Sequence, residues 1–402
     1  MTGFADHRRQ LDERRGLLAR AVAKPMIAEW VRSAETRSDF DLENEICLWI
    51  GKTLADRDYD APVEDYIGPN ILAGAVIGAA ADAVAAALAG ETDDPMSAWR
   101  VLNAAASIVN HPLSDQAASS MEELRVRSGG RLVPKTPSIA VLTGPVLWTR
   151  DGYGSRFGIV APFRTTDGAQ RWYLWDVDAC GHGAFTVHSG YHATPEEALA
   201  DWQGGVGVPA ADGTVLTPVD DPWTLDELMP RELGLMRPGG ENAEQFAEYH
   251  RSKRLAEAVL EAIEPAGPDR IPTPEEIDRT TAASLFTAWL REHRPDRSRQ
   301  ADLEELATEL ADSWQINGPP SLYRTCSPHR VALVAEHVSG YYEEEFAADL
   351  VALLPDWTAW LAHHNATPPH LADRCSRYVH GQQHQAVHVD DRGPNYLVRI
   401  GE

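Results

Sequence analysis

Residues 156–202 constrain this chain most, because strand, turn and helix signals follow one another there without a break. Phe157, Ile159, Ala161 and Phe163 alternate, and strand side chains point to opposite faces in turn, so these four share one side of an extended segment. Thr165, Thr166, Asp167 and Gly168 supply turn chemistry, since Asp-Gly suits a backbone that must take positive φ. The returning strand, 171–178, places Tyr173, Trp175 and Val177 on one face and Trp172, Leu174, Asp176 and Asp178 on the other. A second turn at Cys180, Gly181, His182 and Gly183 leads to a third strand, 185–191. Strict alternation there puts Phe185, Val187 and Tyr191 on one side and Thr186, His188 and His192 opposite. Thr194, Pro195 and Glu197 then open a helix: a Thr N-cap, Pro at the first helical position, and a Glu able to close a capping box. Ala198, Leu199 and Trp202 lie within a turn of one another and are expected to cover the aromatic face of the strands, leaving the carboxylates and imidazoles on a polar reverse.

The order strand, Asp-Gly turn, aromatic strand, Cys/Gly turn, short strand and Thr194-to-Leu199 helix start, over residues 156–203, resembles the HicB antitoxin module, a fold partly like the double-stranded-RNA-binding domain. That resemblance implies a module that neutralises a small toxin partner, usually alongside a separate DNA-binding element. No such element is recognisable in this sequence. The stretch 322–378 is similar to the C-terminal helical part of uncharacterised actinobacterial proteins, some encoded near mobile elements, and carries no catalytic motif.

With 402 residues the chain has room for several cores. A formal net charge of -25 argues against a broad phosphate-binding surface, because nucleic-acid affinity rests on clustered Lys and Arg. Only four of the 36 basic residues are lysine, and alanine is abundant, which fits translation from a GC-rich, bacterial genome. Four widely spaced cysteines without a C-x-x-C pair fit a reducing cytosol, and the first residues lack an apolar export signal, so a cytoplasmic location is expected. The one membrane-like run, 71–89, carries Asp82 near its middle, where insertion costs about 2.5–3.5 kcal/mol. It reads as a buried helix, with Gly74 and Gly78 permitting close approach to a neighbour.

Three regions follow. Residues 1–127 are helical by pattern, with Leu11, Leu17, Leu18 and Val22 opening one amphipathic helix and Asp94-Pro95 starting a later one. Residues 138–264 hold the α+β module, with a further strand within 139–147, an irregular stretch over 204–221 and trailing helices. Residues 273–402 form a second helical region, opened by Thr273, Pro274 and Glu276 and closed by a short hairpin within 387–400. The fold class is therefore α+β, mainly helical, around a central antiparallel sheet of three to four strands.

Candidate chemistry gathers in the module. Asp176 and Asp178, one strand from His188, are the residues an acid/base or metal-carboxylate site would use. Cys180, His182, His188 and His192 carry the sulfur and imidazole donors that suit zinc, set against exposed histidines without a metal. Cys326 with His329, the acidic run 56–65, and His380, His384 and His388 near the C-terminus are weaker groupings. No P-loop, Gly-x-Gly-x-x-Gly, Gly-x-Ser-x-Gly or His-Glu-x-x-His motif is present, and no cofactor is expected. The reading is an interaction or regulatory protein of an accessory or mobile locus, binding a protein partner or small ligand through the module and engaging neither membrane nor nucleic acid broadly. Its alternative is a metal-dependent enzyme or hydrolase using Asp176, Asp178 and His188.

Overall fold

The computed structural model describes residues 2–56, 62–91, 94–132, 139–181, 183–210, 213–220, 222–229, 242–263, 278–297, 302–315, 322–380, 389–390 and 393–394. Over these the chain is a mainly helical α+β protein in which helices flank one antiparallel sheet.

The N-terminal layer comprises α1 (Thr2–Ser33), α2 (Asp39–Ala55), α3 (Pro69–Leu88), α4 (Pro95–Ile108) and α5 (Leu113–Arg127). Local chemistry sets its helix starts. Ser38 Oγ accepts from Asp41 N at 3.1 Å while Asp41 Oδ2 accepts from Ser38 N at 3.2 Å, a reciprocal capping box at α2. Asp94 accepts from Met96 N and Ser97 N ahead of Pro95, which starts α4. The buried face of α1 differs from the leucine stripe expected above. Ala19, Ala23, Ile27 and Trp30 face the core, while Leu17 (69 % exposed), Leu18 and Val22 lie outside it. The reason is the partner: α1 packs on the alanine-rich α3, and small side chains on both helices bring the axes together.

α3 is long and apolar enough to cross a membrane by length and composition, and here it packs among α1, α4 and α5. A Cβ at Gly74 or Gly78 would make ordinary contacts, 3.5 Å to Leu113 and 3.6 Å to Arg20. The close approach falls instead at Gly51 on α2, where a Cβ would stand 2.7 Å from Ala247 Cβ of the helix 243–263.

The sheet contains β1 (Val141–Leu142), β2 (Leu147–Arg150), β3 (Arg156–Arg164), β4 (Gln170–Gly181), β5 (Gly183–His192) and β6 (Thr217–Pro218), in the order β5-β4-β3-β2-β6 with β1 also on β3. The 165–168 turn closes as its residues require: Gly168 sits at φ 85° and Thr165 N donates to Ala169 O at 2.8 Å. Between β4 and β5 the register shifts twice, between Asp176 and Val177 and again between Asp178 and Gly181. Asp176 faces His188 but Val177 faces Thr186, so Val187 forms a bulge and Phe185 and Thr186 take faces opposite to those strict alternation assigns.

Both faces of the sheet are covered. The helix that follows β5, α6 (Pro195–Val206), starts as read: Thr194 Oγ1 accepts from Glu197 N, and Glu197 Oε2 accepts from Ala193 N. It covers the face opposite to the one expected. Ala198, Trp202 and Val206 pack on Val160 and Leu174, and a Cβ on Gly158 would come 2.9 Å from Trp202 Cγ, so that glycine makes the slot for the indole. The aromatic face, with Phe157, Ile159, Phe163, Tyr173 and Trp175, lies beneath α7 (Pro222–Leu228) and α8 (Ala243–Ile263), which contribute Leu225, Leu228, Leu255 and Val259. Val160 and Leu174 make the second face apolar as well, so a helix leaving β5 finds a core on either side. α8 also reaches the N-terminal core through Phe246 and Ala247.

The C-terminal layer holds α9 (Arg279–His293), α10 (Leu303–Gln315), α11 (Pro328–Tyr341), α12 (Glu344–His364) and α13 (Pro369–Val379) around Phe286, Leu310, Trp314, Trp357 and Trp360. Tyr153 ties it to the sheet, its hydroxyl donating to Leu371 O at 3.3 Å. Residues 273–276 lie outside the described residues. Of the terminal hairpin, Val389–Asp390 (β7) pairs with Gly393–Pro394 (β8).

Candidate functional site

Asp176 and Asp178 point where alternation on β4 sends them, onto the face of Leu174, but that face is interior. Asp176 takes Arg156 Nε at 2.8 Å and Nη2 at 2.6 Å in a bidentate pair whose side chains are 3 % and 6 % exposed. Arg156 stands opposite Asp178 in the β3–β4 register, so its guanidinium reaches diagonally to the next carboxylate on the same face. Asp178 meets His329 Nδ1 at 3.3 Å, a contact from the first turn of α11. Asp151, after β2, accepts from Ser155 N at 2.9 Å and Arg156 N at 3.1 Å. Burial pushes the Asp151 carboxyl up to about 6 against those backbone donors, and burial likewise raises Asp176 against the pull of Arg156. Three carboxylates, one guanidinium and one imidazole thus form a buried polar seam where the sheet meets the C-terminal helices. Such a seam positions elements; its carboxylates are turned to internal donors.

His188 stands beside Asp176 across the strands yet turns to another partner. Its Nε2 lies 3.1 Å from Asp201 Oδ2, and His192 Nε2 lies 3.6 Å from the same oxygen. Asp201 comes from α6, one turn beyond Glu197, and its role was not read from the sequence. The signal that finds it is the helix face: once Trp202 is placed on Leu174, residue 201 falls toward the β5 edge. The hydrogen bond to Asp201 raises the His188 pKa, whereas burial lowers that of His192. One carboxylate between two imidazoles gives a small, partly accessible, pH-responsive rim, with the His188 and Asp201 side chains 40 % and 46 % exposed.

Asp176, Asp178 and His188 are therefore engaged with three different partners, Arg156, His329 and Asp201. Of the zinc-type set, His188 and His192 share the rim, His182 lies outside the described residues, and Cys180 belongs to the end of β4 with its side chain likewise outside them. Among the described residues no group of three or more His, Cys, Asp or Glu side chains could hold a metal ion. Cys326 is buried and His329 turns to Asp178. In the acidic run, Asp65 pairs with Arg14 at 2.7 Å and residues 57–61 lie outside the described residues, as do His384 and His388. Compared with protein-family models, curated proteins and solved structures, the chain matches none.

Proposed function

We propose that the chain is an interaction protein that engages a protein partner through the rim formed by β5 and α6. The observation that carries this reading is the position of β5: it closes the sheet at one end, hydrogen-bonded to β4 along one side, and among the described residues no strand lies beyond it. A terminal strand offers backbone donors and acceptors to an added strand, and the bulge at Val187 restricts which partner fits. Gln245 Nε2 already reaches Val187 O at 2.7 Å, and His188, His192 and Asp201 gather where the strand meets α6. Those charged side chains would set partner choice and orientation more than affinity. A HicB-like role for residues 156–203 belongs to the same proposal, supported by three consecutive antiparallel strands followed by a capped helix. A reducing, cytoplasmic setting accords with the buried free thiols of Cys47, Cys326 and Cys375.

Affinity capture from the host with the full chain tests the reading. The wild type should retain one protein at near-equal ratio, and His188→Glu and Asp201→Arg should each weaken its retention by about tenfold or more without changing the circular dichroism spectrum. Undiminished retention by both variants, or no partner held at near-equal ratio, overturns it.

A further inference from the structure

Among the described residues outside the rim, Glu43 is a buried titratable group without an ion-pair partner of its own. Glu43 on α2 is 4 % exposed, and its Oε1 is buried without a hydrogen-bond partner. It sits where four pieces of the molecule meet: α2 packs on α4 and α8, and the 165–168 turn closes over them. The nearest cation is Arg251 on α8, but all three guanidinium nitrogens are engaged elsewhere. Nε donates to Glu248 Oε2 at 2.8 Å, Nη2 donates to Glu248 Oε1, and Nη1 donates to Asn44 Oδ1 at 2.5 Å. Glu248 in turn takes the Tyr173 hydroxyl at 2.8 Å. The Arg251–Glu248 pair is thus neutral and closed, and Glu43 is a second carboxyl beside it.

The other groups facing Glu43 do not supply a positive charge. Ser107 on α4 gives its hydroxyl proton to Ala104 O at 2.8 Å, and the Thr166 hydroxyl in the turn faces the Glu43 carboxyl as a neutral donor. Asp39 on α2 adds repulsion. Burial pushes the Cys47 thiol up to about 12 and raises the Tyr191 and Tyr173 phenols, so these stay neutral through the physiological range. For Glu43 itself burial outweighs the help from Thr166, Arg251 and Ser107, and pushes its carboxyl up to about 7.

We infer that Glu43 is the trigger of a proton-operated latch between the N-terminal helical layer and the sheet. While it carries a proton, the 165–168 turn and α8 close on α2 and α4. Once it is ionised, a buried negative charge with only neutral hydroxyls and an already paired guanidinium beside it draws water into the junction and loosens the turn. The turn is held on α2 by the stacking of Arg171 over the Phe40 ring at 3.8 Å and by Phe40 against Tyr191, contacts that can part without unfolding either layer.

Hydrogen exchange of the full chain, read over residues 38–55 and 163–173 and corrected for intrinsic rates, tests the latch. Between pH 5.5 and 7.5 local opening of these segments should rise by about tenfold or more in the wild type, and Glu43→Gln should abolish that dependence while keeping exchange slow. The same pH dependence in Glu43→Gln, or none in the wild type, overturns the inference. Carboxyl carbon NMR of the glutamate-labelled wild type gives a reading that needs no stable variant. A buried glutamate titrating near neutrality, with the chemical shift of the other residues in this junction moving with it, supports the latch, and titration of every glutamate in the ordinary carboxylate range overturns it.

Discussion

Asp176 shows how one residue's meaning depends on what faces it. On a solvated sheet face its carboxylate would be a safeguard against edge pairing or a candidate base; beneath α6 and against Arg156 it is half of a buried pair. Such a pair stabilises little relative to a well-packed apolar replacement, yet removing one member leaves the other charged and dry. Asp176→Leu should therefore lower the unfolding free energy by roughly 3–5 kcal/mol, with Arg156→Met similar, while the double variant carrying both substitutions recovers most of the loss. Urea denaturation of the four proteins checks this. Additive losses in the double variant would mean that the two side chains do not act as a pair. Neither the pairing nor its burial was legible in the sequence: Arg156 sits just before the first apolar position of its strand, and nothing local says that its guanidinium turns inward to a residue 20 positions away.

At the scale of elements, what could be read was what local chemistry decides. The alternation of β3 and β4, the 165–168 turn and the Thr194 cap of α6 depend on neighbours in sequence, and all three stand in the structure. The choices that needed tertiary information were missed. α6 could settle on Tyr173 and Trp175 or on Val160 and Leu174, and Gly158 decides the matter by admitting Trp202. Val187 bulges because the β4–β5 pair slips one residue, which no period-2 pattern announces. On α1 the leucine stripe lies outside the core, because against alanine-rich α3 the helix turns Ala19 and Ala23 inward together with Ile27 and Trp30. That assignment has a direct test. Ala23→Leu, at a position with no exposure, should cost roughly 1–3 kcal/mol through overpacking, whereas Leu17→Ala should stay within about 0.5 kcal/mol. Thermal melts of the two variants would place the packed stripe on the leucines if the order were reversed.

For the whole molecule the sign of the buried groups sets an unusual pH profile. Asp151 and Glu43 both bind a proton more tightly folded than unfolded, with values pushed up by burial to about 6 and about 7. Each contributes stability that is complete below its ordinary carboxylate range and is lost as pH rises through the folded value. His250 works in the opposite sense: burial lowers it to about 4, so the unfolded chain takes up the extra proton and stability falls as pH drops from the ordinary imidazole value toward 4. Between the two carboxyl transitions His250 offsets the loss from Glu43, and above the ordinary imidazole value Glu43, together with the raised His188, still titrates. The surface acts in the same direction as the carboxyls, since 61 acidic against 36 basic residues repel one another less when part of the acid is protonated. The unfolding free energy should accordingly be greater at pH 5.5 than at pH 7.5, by about 1–2 kcal/mol from the buried groups, a proton difference of roughly one across one pH unit. Urea denaturation at the two pH values measures it. A stability that climbs steadily over that interval would mean that the acids of the sheet seam and the α2–α8 junction are ionised in the folded protein, and that their burial is offset by donors stronger than Arg156, Arg251 and the backbone of residues 155–156.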